Sequence, residues 1–130
     1  MKIINTLVLI LALPCAGFSS GTVIPEPVRQ AIKNGNSQEL VKYFNNTIEL
    51  DIIGKDDVYV KAKAEQILSI FFAQHPVTEF TVLHEGGKDT NQFSIGKLVS
   101  SKGVFRVTIL MKGALIKQLC IQNEDGSKTE

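Results

Sequence analysis

The chain has no tryptophan, two cysteines, two histidines and a net charge of only +1 at pH 7. Each scarcity removes a class of function. Near-neutral charge, with basic residues scattered rather than bunched, leaves no footprint for nucleic acid or an anionic membrane surface. His75 and His84 lie on different predicted elements, and no cysteine or carboxylate completes a ligand pattern. No metal centre is therefore expected. Neither a Gly-rich phosphate loop nor a serine-nucleophile elbow occurs, and no cofactor is implied.

Long apolar runs are also missing, with one exception at the start. Met1-Lys2 gives a short positive beginning, residues 3–13 are almost wholly apolar, and small residues follow through Gly21. That layout predicts a cleaved signal peptide over residues 1–20 and an exported protein, periplasmic or extracellular. The apolar run is too short for a stable membrane span. Cleavage after Gly17, Ser19 or Gly21 fits equally well. A lipid on Cys15 is the lesser alternative, because a lipidated cysteine wants a small residue before it and Pro14 stands there.

If Cys15 leaves with the leader, Cys120 has no partner for an intramolecular disulfide, and the fold must rest on its core. Cys120 sits in the strand-like run Leu115-Ile116-Lys117-Gln118-Leu119-Cys120-Ile121 and reads as a small buried hydrophobe rather than a reactive thiol. One of the 14 basic residues, Lys2, leaves with the leader, so 13 basic residues face 13 acidic ones in the remainder. That remainder suits a single domain over residues 21–124, followed by a polar, flexible tail over 125–130.

What is present is an ordered alternation of helix and strand signals. Pro25-Glu26-Pro27 opens a helix whose apolar stripe is Val28, Ala31 and Ile32, and Asn34-Gly35-Asn36 ends it. Ser37 is the expected N-cap of a second helix over residues 38–44. Residues 47–53 alternate as a half-buried strand, Gly54 to Asp57 reads as a turn, and Val58-Tyr59-Val60 as its partner. A long helix is expected over residues 61–74, with Ala64, Ile67, Leu68, Phe71 and Phe72 at helical spacing and His75-Pro76 halting it.

Four strands then follow, over residues 77–85, 92–100, 104–112 and 114–122. In the first, simple alternation puts Phe80, Val82 and His84 on one face. Gly86 to Asn91 is expected as a flexible turn, and Gly96 as a bend or bulge. Both faces of these strands carry apolar residues, so each requires a cover. Helices supply one; the other is the inside of a curled sheet or a second subunit.

This order of elements resembles the NTF2-like, or cystatin-like, α+β cone, in which N-terminal helices pack on a strongly curved antiparallel sheet. The wording is closer still to an uncharacterised family of small secreted NTF2-like proteins of Bacteroidota. Asn34-Gly35-Asn36-Ser37-Gln38-Glu39-Leu40, Asp57-Val58-Tyr59, Ala64-Glu65-Gln66-Ile67-Leu68 with Phe71-Phe72, Phe80, His84-Glu85-Gly86-Gly87 and Phe105-Arg106-Val107 carry the likeness. It spans nearly the whole mature chain, from Ile24 to Gln122. The resemblance implies a fold and a pocket at the open end of the cone, but no activity.

Tyr59, Phe71, His84 and Arg106 are the candidate pocket residues, mixing apolar wall with polar anchors. On that reading the protein is a non-catalytic binder of a small apolar ligand or a peptide. An interaction module, pairing as a homodimer through the sheet face, is the second reading. An isomerase-like enzyme is the third, and would need Asp57 and His84 to meet in the cavity as an acid–base pair, with Tyr59 as donor. No spacing forces these groups together, and no catalytic residue is assigned.

Overall fold

Proline opens the first helix and glycine closes it. In a computed structural model that describes residues 23–124, α1 runs Glu26–Lys33 with Pro25 at its N-cap. Glu26 sits at the positive end of the helix dipole and accepts hydrogen bonds from Gln30 and Arg29, which hold its carboxyl below the usual carboxylate range. At the other end Gly35, at φ 63°, donates to Ile32 O, while Asn36 donates to Ala31 O. This pair of reversed bonds is a Schellman closure, and the left-handed step suits a residue without Cβ. The expected signal peptide, Cys15 and the tail over residues 125–130 lie outside the described residues.

Two expectations about the next segment are corrected. Asn36, not Ser37, caps the second helix: its Oδ1 accepts the Glu39 N–H at 3.2 Å. That helix, α2, is a single turn over Ser37–Leu40, and the chain tightens into a 3-10 turn at Val41–Tyr43 before entering β1 at Phe44–Ile52. Phe44 therefore opens a strand rather than closing a helix. Its ring is buried in either case, which is why the apolar spacing alone could not separate them.

β1 turns through Ile53 (φ 50°) and Gly54 (φ 89°) into β2, Lys55–Val60, with Ile52 opposite Lys55. Two consecutive positive φ values make the tight hairpin whose twist matches that of the flanking strands. Lys55, Asp56 and Asp57, expected in a turn, thus belong to the strand. α3 follows at once over Lys61–Gln74, and Val60 provides no side-chain cap.

The remaining chain is a meander: β3 Val77–Lys88, β4 Asn91–Ser100, β5 Gly103–Lys112 and β6 Leu115–Asn123. β3 is longer than expected; Gly86 and Gly87 pair with Phe93 and Gln92, and only Asp89 and Thr90 turn. The six strands form one curved sheet in the order β2-β1-β6-β5-β4-β3. Every pairing is antiparallel except β1 with β6, which is parallel, so the sheet is mixed rather than purely antiparallel. The crossover through α3 places β3 at the far edge; the meander then returns strand by strand and delivers β6 beside β1 in the same direction.

The concave face holds the core. Leu98, Phe105, Val107, Ile109, Met111, Leu119 and Ile121 point inward together with Ile48 and Leu50. Val28, Ala31 and Ile32 of α1 and Ala64, Leu68, Phe71 and Phe72 of α3 cover them. Leu68 is fully buried, which stabilises the fold by roughly 2 kcal/mol relative to an exposed position. The convex face carries Phe93, Ile95, Val99, Val104 and Leu110, each half-buried.

Candidate functional site

α3 and β2 are matched in length. Fourteen helical residues span about 21 Å and six strand residues about 20 Å. The helix turns back directly from Val60, so its last turn lies level with the β1–β2 hairpin. Between them opens a cavity of about 370 Å3. Ile52, Ile53, Lys55 and Tyr59 form the strand wall; Ile67, Ile70, Phe71 and Gln74 form the helix wall. Those four helix positions fall on one stripe, three or four residues apart. Ile70 stands at the mouth, 59% exposed.

His75 closes the inner end of the helix wall, and it does so as its own cap. Phe71 O accepts the His75 backbone N–H at 2.9 Å and lies 2.8 Å from Nδ1 of the same residue. A carbonyl can only accept, so Nδ1 carries the proton. The ring is stacked on Phe71 with centroids 4.3 Å apart and meets Phe105 edge-on at 5.2 Å. The result is an imidazole held in a fixed plane beside an apolar cavity, half-exposed.

Of the four candidate pocket residues, the structure brings Tyr59 and Phe71 to this cavity and leaves His84 and Arg106 away from it. A β-bulge at Leu83 is the reason for His84: Val82 pairs with Gly96, but His84 pairs with Ile95, so the side chain falls on the opposite face from Phe80 and Val82. Gly96 faces this bulge across the ladder rather than forming it; its own role is to admit the Phe80 ring, which an added Cβ would meet at 2.6 Å. Arg106 pairs with Lys97 and Gln122 on the convex face and is exposed. It makes no cross-strand ion pair among the described residues, where the ion pairs are Arg29–Glu26 and Lys42–Glu39.

The acid–base pair required for the enzyme reading is not formed. Asp57 lies on β2 and His84 on β3, the two opposite edges of the sheet, and the Asp57 Oδ1 accepts the neighbouring Val58 N–H at 2.8 Å. As cavity residues, Ile52, Ile53, Lys55, Ile67, Ile70, Gln74 and His75 are absent from the sequence-based expectation. The signal that could have found them was the continuation of the Ile67 stripe through Phe71 to His75. His75 had been read only as a helix stop.

A second group of polar side chains lies on the convex face. Cys120 stands between Thr108 and Asp51 in the ladder, and Asp51 is paired in turn with Asp56. Burial, and then the Asp51 carboxylate, push the Cys120 thiol up to about 11. The Asp56 charge is the main influence raising the Glu49 carboxyl above its usual range. Among the described residues, no three His, Cys, Asp or Glu side chains are grouped to hold a metal ion, and no helix is long and apolar enough to cross a membrane.

Residues 25–122 match the family described as a domain of unknown function, DUF4783. The chain belongs to the DUF4783 family. A member from Bacteroides uniformis is 38% identical, with 78% of this chain and 98% of that one covered and a TM-score of 0.75. One from Bacteroides ovatus is 36% identical over 79% and 97% of the two chains, again at 0.75. An NTF2-like protein of unknown function from Burkholderia xenovorans shares the fold at a TM-score of 0.56, with 11% identity over 81% of this chain and 83% of that one. DUF4783 proteins are thus α+β cones of NTF2-like form. No curated protein matches the chain.

Proposed function

We propose that this DUF4783 protein is an exported, non-catalytic binder that holds a small, largely apolar molecule or a peptide in the cavity between α3 and the β1–β2 hairpin. One observation carries the reading: a cavity of about 370 Å3 has isoleucine and phenylalanine walls and few polar groups. Ligand pockets are typically about 300–1,000 Å3 with that same mixture. The stacked Phe71–His75 pair keeps one wall rigid, so little ordering would be needed on binding. Export rests on Met1-Lys2 and the apolar run over residues 3–13. Native mass spectrometry of protein purified from its source is the test. A retained mass above that of the chain is expected; protein that is always empty, with Ile70→Trp leaving every property unchanged, would overturn the reading.

A second reading is favoured by a separate observation. Phe93, Ile95, Val99, Val104 and Leu110 form half-buried apolar patches on the convex face of β4 and β5, with the Lys97–Arg106 pair set between them and Glu49, Asp51 and Asp56 lying toward the β1–β2 edge. A twofold arrangement would set the acidic edge of one copy against the Lys97–Arg106 pair of another. Homodimerisation through the sheet face is the outcome expected of that pattern. A protein that sediments as a monomer up to high concentration removes it without touching the pocket.

A further inference from the structure

We infer that the ligand of this pocket is an amphipathic monocarboxylate: an unbranched or lightly branched apolar body with one carboxylate held at the Lys55–Gln74 end. The inference rests on the pocket reading above and deepens it by naming the chemistry. The polar part of the lining consists of Lys55, Tyr59, Gln74 and His75. Lys55, Tyr59 and Gln74 can each donate a hydrogen bond, His75 presents Nε2 as an acceptor once Nδ1–H is given to Phe71 O, and none of the four is a carboxylate. Lys55 is engaged in no ion pair among the described residues. The His75 Nδ1 is committed to Phe71 O, and Nε2 has no protein partner among the described residues.

The carboxylates nearby do not alter this balance. Asp57, between Lys55 and Tyr59 on β2, is turned to the Val58 N–H and does not line the cavity. Asp51 accepts the Gly54 N–H, and both Asp51 and its ladder partner Asp56 belong to the convex-face group beside Cys120. A cationic ligand would therefore meet a lysine and no counter-charge. A carboxylate would meet the Lys55 ammonium and the Gln74 amide N–H, and charge-assisted hydrogen bonds are the strong ones.

Volume sets the size of the apolar body. At about 30 Å3 for each small group, the figure for a water in the liquid, 370 Å3 holds roughly a dozen methylene-sized units. Ile52, Ile67 and Ile70 offer such a chain aliphatic walls, and the Phe71 ring a flat one.

The test is isothermal titration of the intact mature protein with dodecanoate, dodecanol and dodecyltrimethylammonium, each below its micellar concentration, repeated on Lys55→Gln. Dodecanoate is expected to bind about tenfold more tightly than the alcohol, and the ammonium most weakly. Lys55→Gln should cut the advantage of the acid over the alcohol several-fold, a ratio that a general loss of pocket or fold does not move; Lys55 is exposed, and a circular dichroism spectrum matching the parent shows the variant folded. Equal binding of acid and alcohol, a preference for the ammonium, or an unchanged ratio in Lys55→Gln overturns the carboxylate inference and leaves the pocket reading standing. Failure of all three probes to bind overturns the carboxylate inference, while the pocket reading is decided by the native mass spectrometry above.

Discussion

Cys120 shows how position overrides residue type. A thiol outside any disulfide among the described residues invites reading as a reactive group, yet burial on its strand, and then the neighbouring Asp51 carboxylate, hold it at about 11. At pH 8 only about one molecule in a thousand then carries the thiolate, the nucleophilic form. Alkylation of the folded protein by iodoacetamide at pH 8 is accordingly expected to be far slower than that of the unfolded chain. It should accelerate by about tenfold per pH unit up to pH 10, and Asp51→Asn should speed it at fixed pH. Mass spectrometry of timed aliquots reads the rate; labelling as fast as in denaturant would contradict the assigned surroundings. The same lesson applies to His75, which performs three tasks that composition does not reveal: it donates to Phe71 O, stacks on Phe71 and borders the cavity.

At the scale of elements, Asn36 is the hinge between two helices. Its backbone N–H completes the closure of α1 and its side chain caps α2. Only the second role depends on the side chain. Asn36→Ala is expected to destabilise the fold by about 1 kcal/mol, and Asn36→Ser or Asn36→Asp to restore most of it, as measured by denaturant midpoint at constant slope. The elements most legible in the sequence were those whose local chemistry and burial agree: α1 between its prolines and Gly35, α3 ahead of His75-Pro76, and the β4–β5 hairpin. Errors came where local and long-range demands compete. Phe44 satisfies a helical stripe and an inward strand position alike. Leu83 cannot announce a bulge, since the extra residue is recognised only from its partner strand, and one such residue moved His84 to the opposite face. Half of the expected pocket was lost to that single shift and to Arg106, whose alternation with Val104 and Thr108 defined a face without saying which face was concave.

The whole molecule depends on helices filling the concavity of one bent sheet. Leu68 lies at the centre of that arrangement, fully buried among Leu40, Phe44 and the inward residues of the sheet. Leu68→Ala is expected to cost about 3 kcal/mol, through lost burial and the void left behind. In a domain of this size that lowers the thermal midpoint by more than 10 °C. Ile70→Ala, at a position 59% exposed on the same helix, should leave the midpoint nearly unchanged. Differential scanning calorimetry on the pair separates the two; similar losses would mean that the cavity mouth is a structural part of the core. The architecture was legible from the order of helix and strand signals, but the mixed pairing was not, because no local pattern distinguishes a parallel neighbour from an antiparallel one.

That parallel pairing has a bearing on how the chain acquires its shape. Phe44 is partnered with Ile116 and Ile52 with Ile121, so the earliest strand to be synthesised waits for the latest. Closing so long a loop is entropically slow, whereas the β3–β6 meander needs only neighbouring segments. The meander can assemble first and the β1–β2 hairpin, with α3, dock onto it afterwards. Because that hairpin carries the strand wall of the cavity, a chain that folds in this order completes its pocket last.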